Sequence, residues 1–298
     1  MKHIYVLGSL NMDIVFESSV LPKQGETLFG DSFLINAGGK GANQAVACAK
    51  QGIPTYLIGA VGNDIFGEEL LNTAKKYGVN TKFIVKKEIS TGTAGILLHN
   101  NDNRILINGG ANQAITKEDV DTALENIKKG DIFITQEENN LDMVEYSLTK
   151  AKEKGAICIF NPAPAKKISE ESLKCVDFLI MNETECFTLS GYDASNTDKV
   201  RLYLKSLGIQ NCIITLGSKG ALSISEDDYY HFDALKIKAV DTTAAGDTFV
   251  GSFAAMYIMT SDVKESIIHA IKSSALTCLK KGAQQSIPTY FEVMASNS

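Results

Sequence analysis

The chain has 298 residues, 44% of them hydrophobic and 21% charged, which is enough to enclose one large core, with or without a smaller appendage. Its net charge is −6 and no Lys/Arg block stands out, so it lacks the electrostatic footprint of a nucleic-acid binder. No apolar run approaches the ~20 residues that span a bilayer, which leaves small-molecule chemistry, without nucleic-acid or membrane partners, as the expectation.

Residues 3–7 form a short apolar run ending at Gly8, the pattern of a buried strand that delivers the polar loop Ser9-Leu10-Asn11-Met12-Asp13 to a sheet end. Asn11 and Asp13 alternate across Met12, so in an extended conformation they face the same way and can grip vicinal hydroxyls together. Residues 14–37 alternate loosely, broken by Pro22 and Gly25, as strands exposed on one face do, and suit a flap. Gly38-Gly39-Lys40-Gly41-Ala42-Asn43-Gln44 then opens a helix that runs to about Lys50 and stops at Gly52. This is not a Walker A motif, because Gly41 stands where Ser or Thr is required; nor is it a dinucleotide fingerprint, because Gln44 replaces the third glycine. Backbone N–H groups, the Lys40 ammonium and the Asn43 amide at this helix start suit a hydroxyl-rich ligand.

A strand at 55–60, a helix at 66–77 closed by Gly78 and an extended segment at 81–85 come next. Runs at 94–99 and 104–108 flank Asn100-Asn101-Asp102-Asn103 as a β-hairpin would, and with 14–37 they can build a small sheet. Thr116-Lys117-Glu118-Asp119 resembles a capping box and predicts a helix ending at Gly130. Strands at 132–135, 157–160, 178–180 and 212–216 alternate with helical segments around 143–154 and 199–207, which implies a parallel sheet covered on both faces. Residues 221–225 and 229–232 read as a late hairpin, and 263–279 as the last long helix.

Polar loops recur where these strands should end. Gln136-Glu137-Glu138 comes after one, Asn161-Pro162-Ala163-Pro164-Ala165 after another, and Asn182-Glu183-Thr184-Glu185 after a third. Asn182 and Glu185 are spaced to share a helical face and to hold water or Mg²⁺ beside phosphates. The glycines of Thr215-Leu216-Gly217-Ser218-Lys219-Gly220 allow close backbone approach to a flat or phosphorylated ligand. Taken one at a time, each loop is as readily a turn or a helix cap. Gathered at the carboxyl edge of one sheet they are not independent, because that edge is where open α/β sheets place ligands.

Asp241-Thr242-Thr243-Ala244-Ala245-Gly246-Asp247-Thr248-Phe249 runs from small residues into an apolar helical stretch at 249–259. Unpaired N–H groups and the helix dipole make that start an anion site; Ala244, Ala245 and Gly246 let a phosphate approach, and Asp247 can take a proton from a hydroxyl. Asp241 opens the same turn, and with the Thr243 carbonyl and the loop Lys280-Lys281-Gly282-Ala283-Gln284-Gln285-Ser286 it offers oxygen ligands that suit a hard cation. The six cysteines (Cys48, Cys158, Cys175, Cys186, Cys212, Cys278) and four histidines show no metal-ligand spacing. They read as thiols of a reducing compartment, and with no signal peptide before the first strand the expected location is the cytoplasm.

Together these motifs, with Gly25-Glu26-Thr27 and Lys281-Gly282-Ala283-Gln284, resemble the ribokinase-like (phosphofructokinase-B) family of sugar kinases over nearly the whole chain. The resemblance implies an α/β fold, a three-layer α/β/α core with a mostly parallel central sheet, as one kinase domain over 1–298. A small β-sheet lid from about 14–37 and 94–108 would cover the sugar and pair with its twin in a homodimer. The implied reaction is ATP-dependent phosphorylation of a pentose, D-ribose at its 5-hydroxyl. Another family substrate, such as deoxyribose, fructose or a nucleoside, is the alternative, and a catalytically silent sugar-binding regulator is an alternative of another kind. By position, Asn11, Asp13, Gly39, Lys40, Asn43 and Glu138 would hold the sugar, and Asp247 would be the base beside the Ala244-Ala245-Gly246 anion hole. Asn182, Glu185, Thr215, Gly217, Ser218, Gly220 and Gly246 would serve ATP, with Asn182 and Glu185 reaching Mg²⁺ through water. Asp241, Thr243, Thr277, Lys280, Gly282 and Ser286 would hold K⁺. Two positions depart from the family pattern: Ile271, where Asn or His often meets the nucleotide, and Glu137, which replaces an apolar residue beside Glu138.

Overall fold

Strand parity sets the architecture in the computed structural model, which describes residues 2–99, 102–166 and 168–296. In β1 (Ile4–Leu7), Ile4 and Val6 pack into one apolar layer and Tyr5 and Leu7 into the other, so the strand is buried on both faces. The same alternation holds in β4 (Thr55–Gly62), β8 (Ile132–Thr135), β9 (Ile157–Phe160), β10 (Phe178–Asn182) and β11 (Asn211–Thr215). With β5 (Asn80–Lys87) these strands are parallel, and β12 (Ala221–Ser225) and β13 (Tyr229–Phe232) add an antiparallel edge, in the order β13-β12-β11-β10-β9-β8-β1-β4-β5.

One face of this nine-stranded sheet is covered by α1 (Lys40–Lys50), α2 (Ile65–Lys76), α8 (Ala245–Thr260) and α9 (Val263–Thr277). The other face is covered by α3 (Lys117–Ala123), α4 (Leu141–Glu153), α5 (Glu170–Leu173), α6 (Glu183–Ser190) and α7 (Thr197–Ser206). A separate four-stranded sheet, β3-β2-β6-β7, is built from β2 (Asn11–Glu17), β3 (Ser32–Gly38), β6 (Gly92–His99) and β7 (Asp102–Asn108). This is the expected lid, although 18–31 contains no strand and β2 begins already at Asn11. Asn100 and Asn101 of the expected turn lie outside the described residues.

The helix expected to reach Gly130 stops at Ala123. The capping box forms at Thr116 and Asp119 as expected, but the chain then tightens into turns through the Leu124 N–H to Val120 O and Ile127 N–H to Leu124 O bonds. Asp131 anchors these turns, accepting from the Lys128 and His3 N–H groups, which ties them to the start of β8 and β1. The late helices include one not expected from the sequence, α10 (Tyr290–Ala295), which starts from its own Thr289–Glu292 capping box.

Candidate active site

The start of α1 meets the end of β1 at glycines. A Cβ on Gly41 would lie 2.4 Å from Gly8, and Gly39 adopts φ 92°, a conformation other residues rarely tolerate. The Ala42 N–H reaches the Ser9 carbonyl at 3.0 Å, so the helix begins against the polar loop after β1. Across from it, α8 begins with Ala244 in the left-handed region (φ 60°), a backbone state uncommon for a residue with a Cβ and typical of functional turns.

Asp247 stands in the first turn of α8, 9% exposed. Its Oδ2 accepts from Asn43 Nδ2 (2.9 Å) and its Oδ1 from Gln44 Nε2 (3.0 Å), so two amides from α1 aim the carboxylate. Burial raises its pKa above the ordinary value, opposed by the Lys40 ammonium and the two amides. Burial works against charge on Lys40, but the surrounding carboxylates, Asp247 and Glu138 foremost, outweigh it and hold the ammonium charged. No side chain caps α8, and the Ala245 N–H is spent on the Thr242 carbonyl at 3.1 Å. Of the expected anion-binding N–H groups, that of Ala245 thus has an acceptor within the turn. The N–H groups of Ala244 and Gly246 have no acceptor among the described residues, and nothing lies within 4 Å on the side-chain face of Gly246.

Asn11, Asp13 and Glu138 come together beside this pair. Asn11 Oδ1 accepts from Asn112 Nδ2 (2.8 Å), and Asn112 in turn clamps both the N–H and the carbonyl of Leu10 at 3.0 and 3.1 Å. Glu138 accepts from the Ser9 hydroxyl and from the Lys40 N–H. Asp13 is pushed up to about 7, by burial first and then by the Glu138 and Asp247 carboxylates, with Lys40 pulling the other way. Gly38 makes room for it: a Cβ there would lie 2.2 Å from Asp13 Oδ2. Asn43 Oδ1 is buried without a partner among the described residues, an acceptor available to a ligand hydroxyl. Thus Asn11, Asp13, Gly39, Lys40, Asn43, Glu138 and Asp247 form one cluster. Sequence reasoning gave no role to Asn112, Gln44, Gln136 or Asn161. Gln44 links Gln136 and Asn161, accepting from Gln136 Nε2 (2.6 Å) and donating to Asn161 Oδ1 (3.1 Å).

At the start of α6, Asn182 and Glu185 form a capping box at 2.8 Å in both directions, so the pair caps the helix. The cap bonds leave the Asn182 amide nitrogen and Glu185 Oε1 unused; burial raises the Glu185 pKa while the Asn182 N–H and Lys40 lower it. Thr215 donates to the Met181 carbonyl (3.4 Å), and the turn at Gly217 and Ser218 is exposed. Gly220 has a packing role, since a Cβ there would lie 1.9 Å from the Phe232 carbonyl. Ile271 belongs to the core layer between the sheet and α9, so the departure noted there falls on a core-facing position.

Asp241 ties the phosphate turn to the C-terminal loop. Oδ1 accepts from the Thr243 N–H and hydroxyl (2.9 and 2.7 Å), and Oδ2 from the Gly282 N–H (2.8 Å). Burial would raise its pKa, but these donors and the Lys281 charge hold it below the ordinary value, a carboxylate kept charged. Thr277 donates to Ser273 O and Thr248 Oγ1, Ser286 donates to Ala283 O, and Lys280 pairs with Glu292. Among the described residues no group of three or more His, Cys, Asp or Glu side chains is placed to hold a metal, so a cation here would rest on carbonyls and the single carboxylate.

Residues 1–290 match the model of the pfkB family carbohydrate kinases. The chain is 38% identical over 292 residues to the deoxyribokinase of Salmonella typhi, covering 96% of this chain and 95% of that protein. It is 40% identical over 311 residues to the ribokinase of Schizosaccharomyces pombe, covering 99% and 98%. The structure of Arabidopsis thaliana ribokinase complexed with ribose and ATP superposes with a TM-score of 0.90 at 29% identity, covering 99% of this chain and 98% of that one.

Proposed function

The chain belongs to the pfkB family of carbohydrate kinases, and on that premise we propose that it transfers the terminal phosphoryl of ATP to the 5-hydroxyl of D-ribose, giving ribose 5-phosphate and ADP. The observation that carries this reading is Asp247, a carboxylate aimed by two amides at an uncapped helix start and faced by Asn11, Asp13, Lys40 and Glu138. Asp13 and Glu138 accept sugar hydroxyls, Asn11 and Asn43 discriminate their geometry, and Asp247 takes the proton of the attacking hydroxyl. A raised pKa strengthens it as a base.

Phosphoryl transfer passes through a loose anionic transition state, so alignment and electrostatics do most of the work. Lys40 and the Gly246 N–H meet the charge that develops on the transferred group. Glu185 and Asn182, with one oxygen and one nitrogen unused by the cap, would hold Mg²⁺ through water, and the ion would neutralise phosphate charge. Asp241 with the carbonyls of 243 and 277–286 would hold K⁺, steadying the turn that carries Gly246. Apolar side chains exposed on the lid, among them Phe16, Phe33, Ile35 and Leu106, support a homodimer through that sheet. Free cysteines throughout the described chain suit a reducing compartment, and a cytoplasmic site of action is part of the proposal.

2-Deoxyribose is the second reading, favoured by the 38% identity to a deoxyribokinase. A coupled assay of ATP turnover against ribose, deoxyribose, fructose and adenosine tests both: the highest kcat/KM is expected for ribose. A higher value for deoxyribose transfers the assignment, and turnover independent of any sugar removes it.

A further inference from the structure

Along the chain leaving β8, side chains alternate between the two faces of the sheet edge. Phe133 packs toward α4, while Ile132 and Ile134 pack toward α1 and α8. The ladder continues past the strand through the Asn161 N–H to Thr135 O and Glu137 N–H to Ala163 O bonds, at 3.0 and 3.1 Å. Gln136 and Glu138 therefore face α1, where they meet Gln44, Ser9 and Lys40. Thr135, Glu137 and Asn139 face the opposite layer, and Thr135 and Glu137 are 0% exposed. Glu137 Oε1, Thr135 Oγ1 and both Asn139 amide atoms have no partner among the described residues. A carboxyl buried behind the sugar loop is costly unless something compensates it.

The compensation comes from the neighbouring loop. Glu137 Oε2 accepts from the Lys166 N–H (2.5 Å), and the Lys166 ammonium donates back to the Glu137 carbonyl (2.8 Å). With the Glu137 N–H on Ala163, three bonds fasten the residue before Glu138 to 161–166. That loop carries Asn161, which accepts from the same Gln44 amide that aims Asp247.

We infer that Glu137 is a positioning residue: by gripping Lys166 it fixes Glu138 relative to Asn161 and so sets the affinity for the sugar. This rests on the sugar-kinase reading above. Burial pushes the Glu137 carboxyl up to about 7; the Lys166 N–H and ammonium pull it down, and the Glu185 carboxylate adds to the upward push. Near neutrality much of it is the neutral acid, one acceptor and one donor, which glutamine reproduces.

The test compares Glu137→Leu, Glu137→Gln and Lys166→Ala with the unaltered enzyme, whose sugar-dependent ATP turnover first establishes the reading on which the inference rests. For Glu137→Leu, the KM for ribose should rise ~5-fold or more, with kcat and the KM for ATP within ~2-fold. Its Tm should be unchanged or higher, because an apolar side chain replaces a buried carboxyl. Glu137→Gln should keep the ribose KM within ~2-fold of the parent, and Lys166→Ala, at an exposed position, should raise it ~2–3-fold. An unchanged ribose KM in Glu137→Leu overturns the inference, as does a parallel fall in kcat, ATP affinity and Tm, or a Gln variant as impaired as Leu. Should Glu137→Leu fail to fold, Lys166→Pro decides, because at this exposed position it removes the N–H that the Glu137 carboxyl grips: a raised ribose KM supports the inference and an unchanged one overturns it.

Discussion

Asp247 gains its role from position as much as from chemistry, since the same carboxylate elsewhere on α8 would meet neither the Asn43 and Gln44 amides nor the open face of Gly246. Asp247→Asn should lower kcat ~10²-fold or more, while sugar and ATP KM values stay within a few-fold, as for loss of a positioned base; steady-state kinetics check this. Asp13 sets function against stability. Its folded-state pKa of about 7 lies above the ordinary 3.8, so its carboxyl costs nothing below pH 3.8, an increasing amount between 3.8 and about 7, and a constant amount above. Asp13→Asn should therefore raise the Tm of the sugar-free protein more at pH 8 than at pH 5, and weaken ribose binding by roughly 2–4 kcal/mol. Thermal scans at the two pH values check the sign; a larger gain at pH 5 would contradict it. Asn11, Asp13, Lys40, Asn43 and Asp247 were legible in the sequence because each stands at a strand end or helix start marked by glycines. Asn112 was not, because its partner Asn11 is 101 positions away and only the packed lid brings them together.

At the scale of elements, α8 is held at its start from two sides, by α1 through Asp247 and by the C-terminal loop through Asp241. A cation bound at Asp241 would stiffen the turn that carries Gly246, so its removal should lower kcat more than substrate affinity. Replacing K⁺ by a bulky organic cation at constant ionic strength should reduce kcat several-fold, and Asp241→Ala should abolish the response to K⁺. Titration of activity with K⁺ from zero to ~100 mM measures this, and indifference of the unaltered enzyme to K⁺ would remove the cation. Strands were well marked in the sequence, because burial on both faces demands continuous apolar runs. The end of α3 was not, because Asp131, accepting from the nearby Lys128 N–H and the distant His3 N–H, holds the chain in turns where local pattern allowed helix.

The whole molecule pairs a three-layer body with a thin four-stranded lid that leaves apolar side chains exposed. Leu106 is 81% exposed and, by the register Asp13–Ala94–Ile107, lies on the face opposite Asp13. A second lid would cover that face, so Leu106→Glu should yield monomers in sedimentation velocity and raise the KM for sugar, with the thermal transition retained. The body was foreseeable from strand and helix rhythm, and the lid from residue patterning at 14–37 and 94–108; how the proposed second lid would meet it depends on contacts no single chain carries. The most direct test of the central claim is the position of phosphate in the product. With ATP, Mg²⁺ and D-ribose, ³¹P NMR of the product should show coupling to the two protons on C5, and with Asp247→Asn the signal should grow ~10²-fold or more slowly. Phosphate coupled to any other position, or ATP consumed equally fast without ribose, would contradict it.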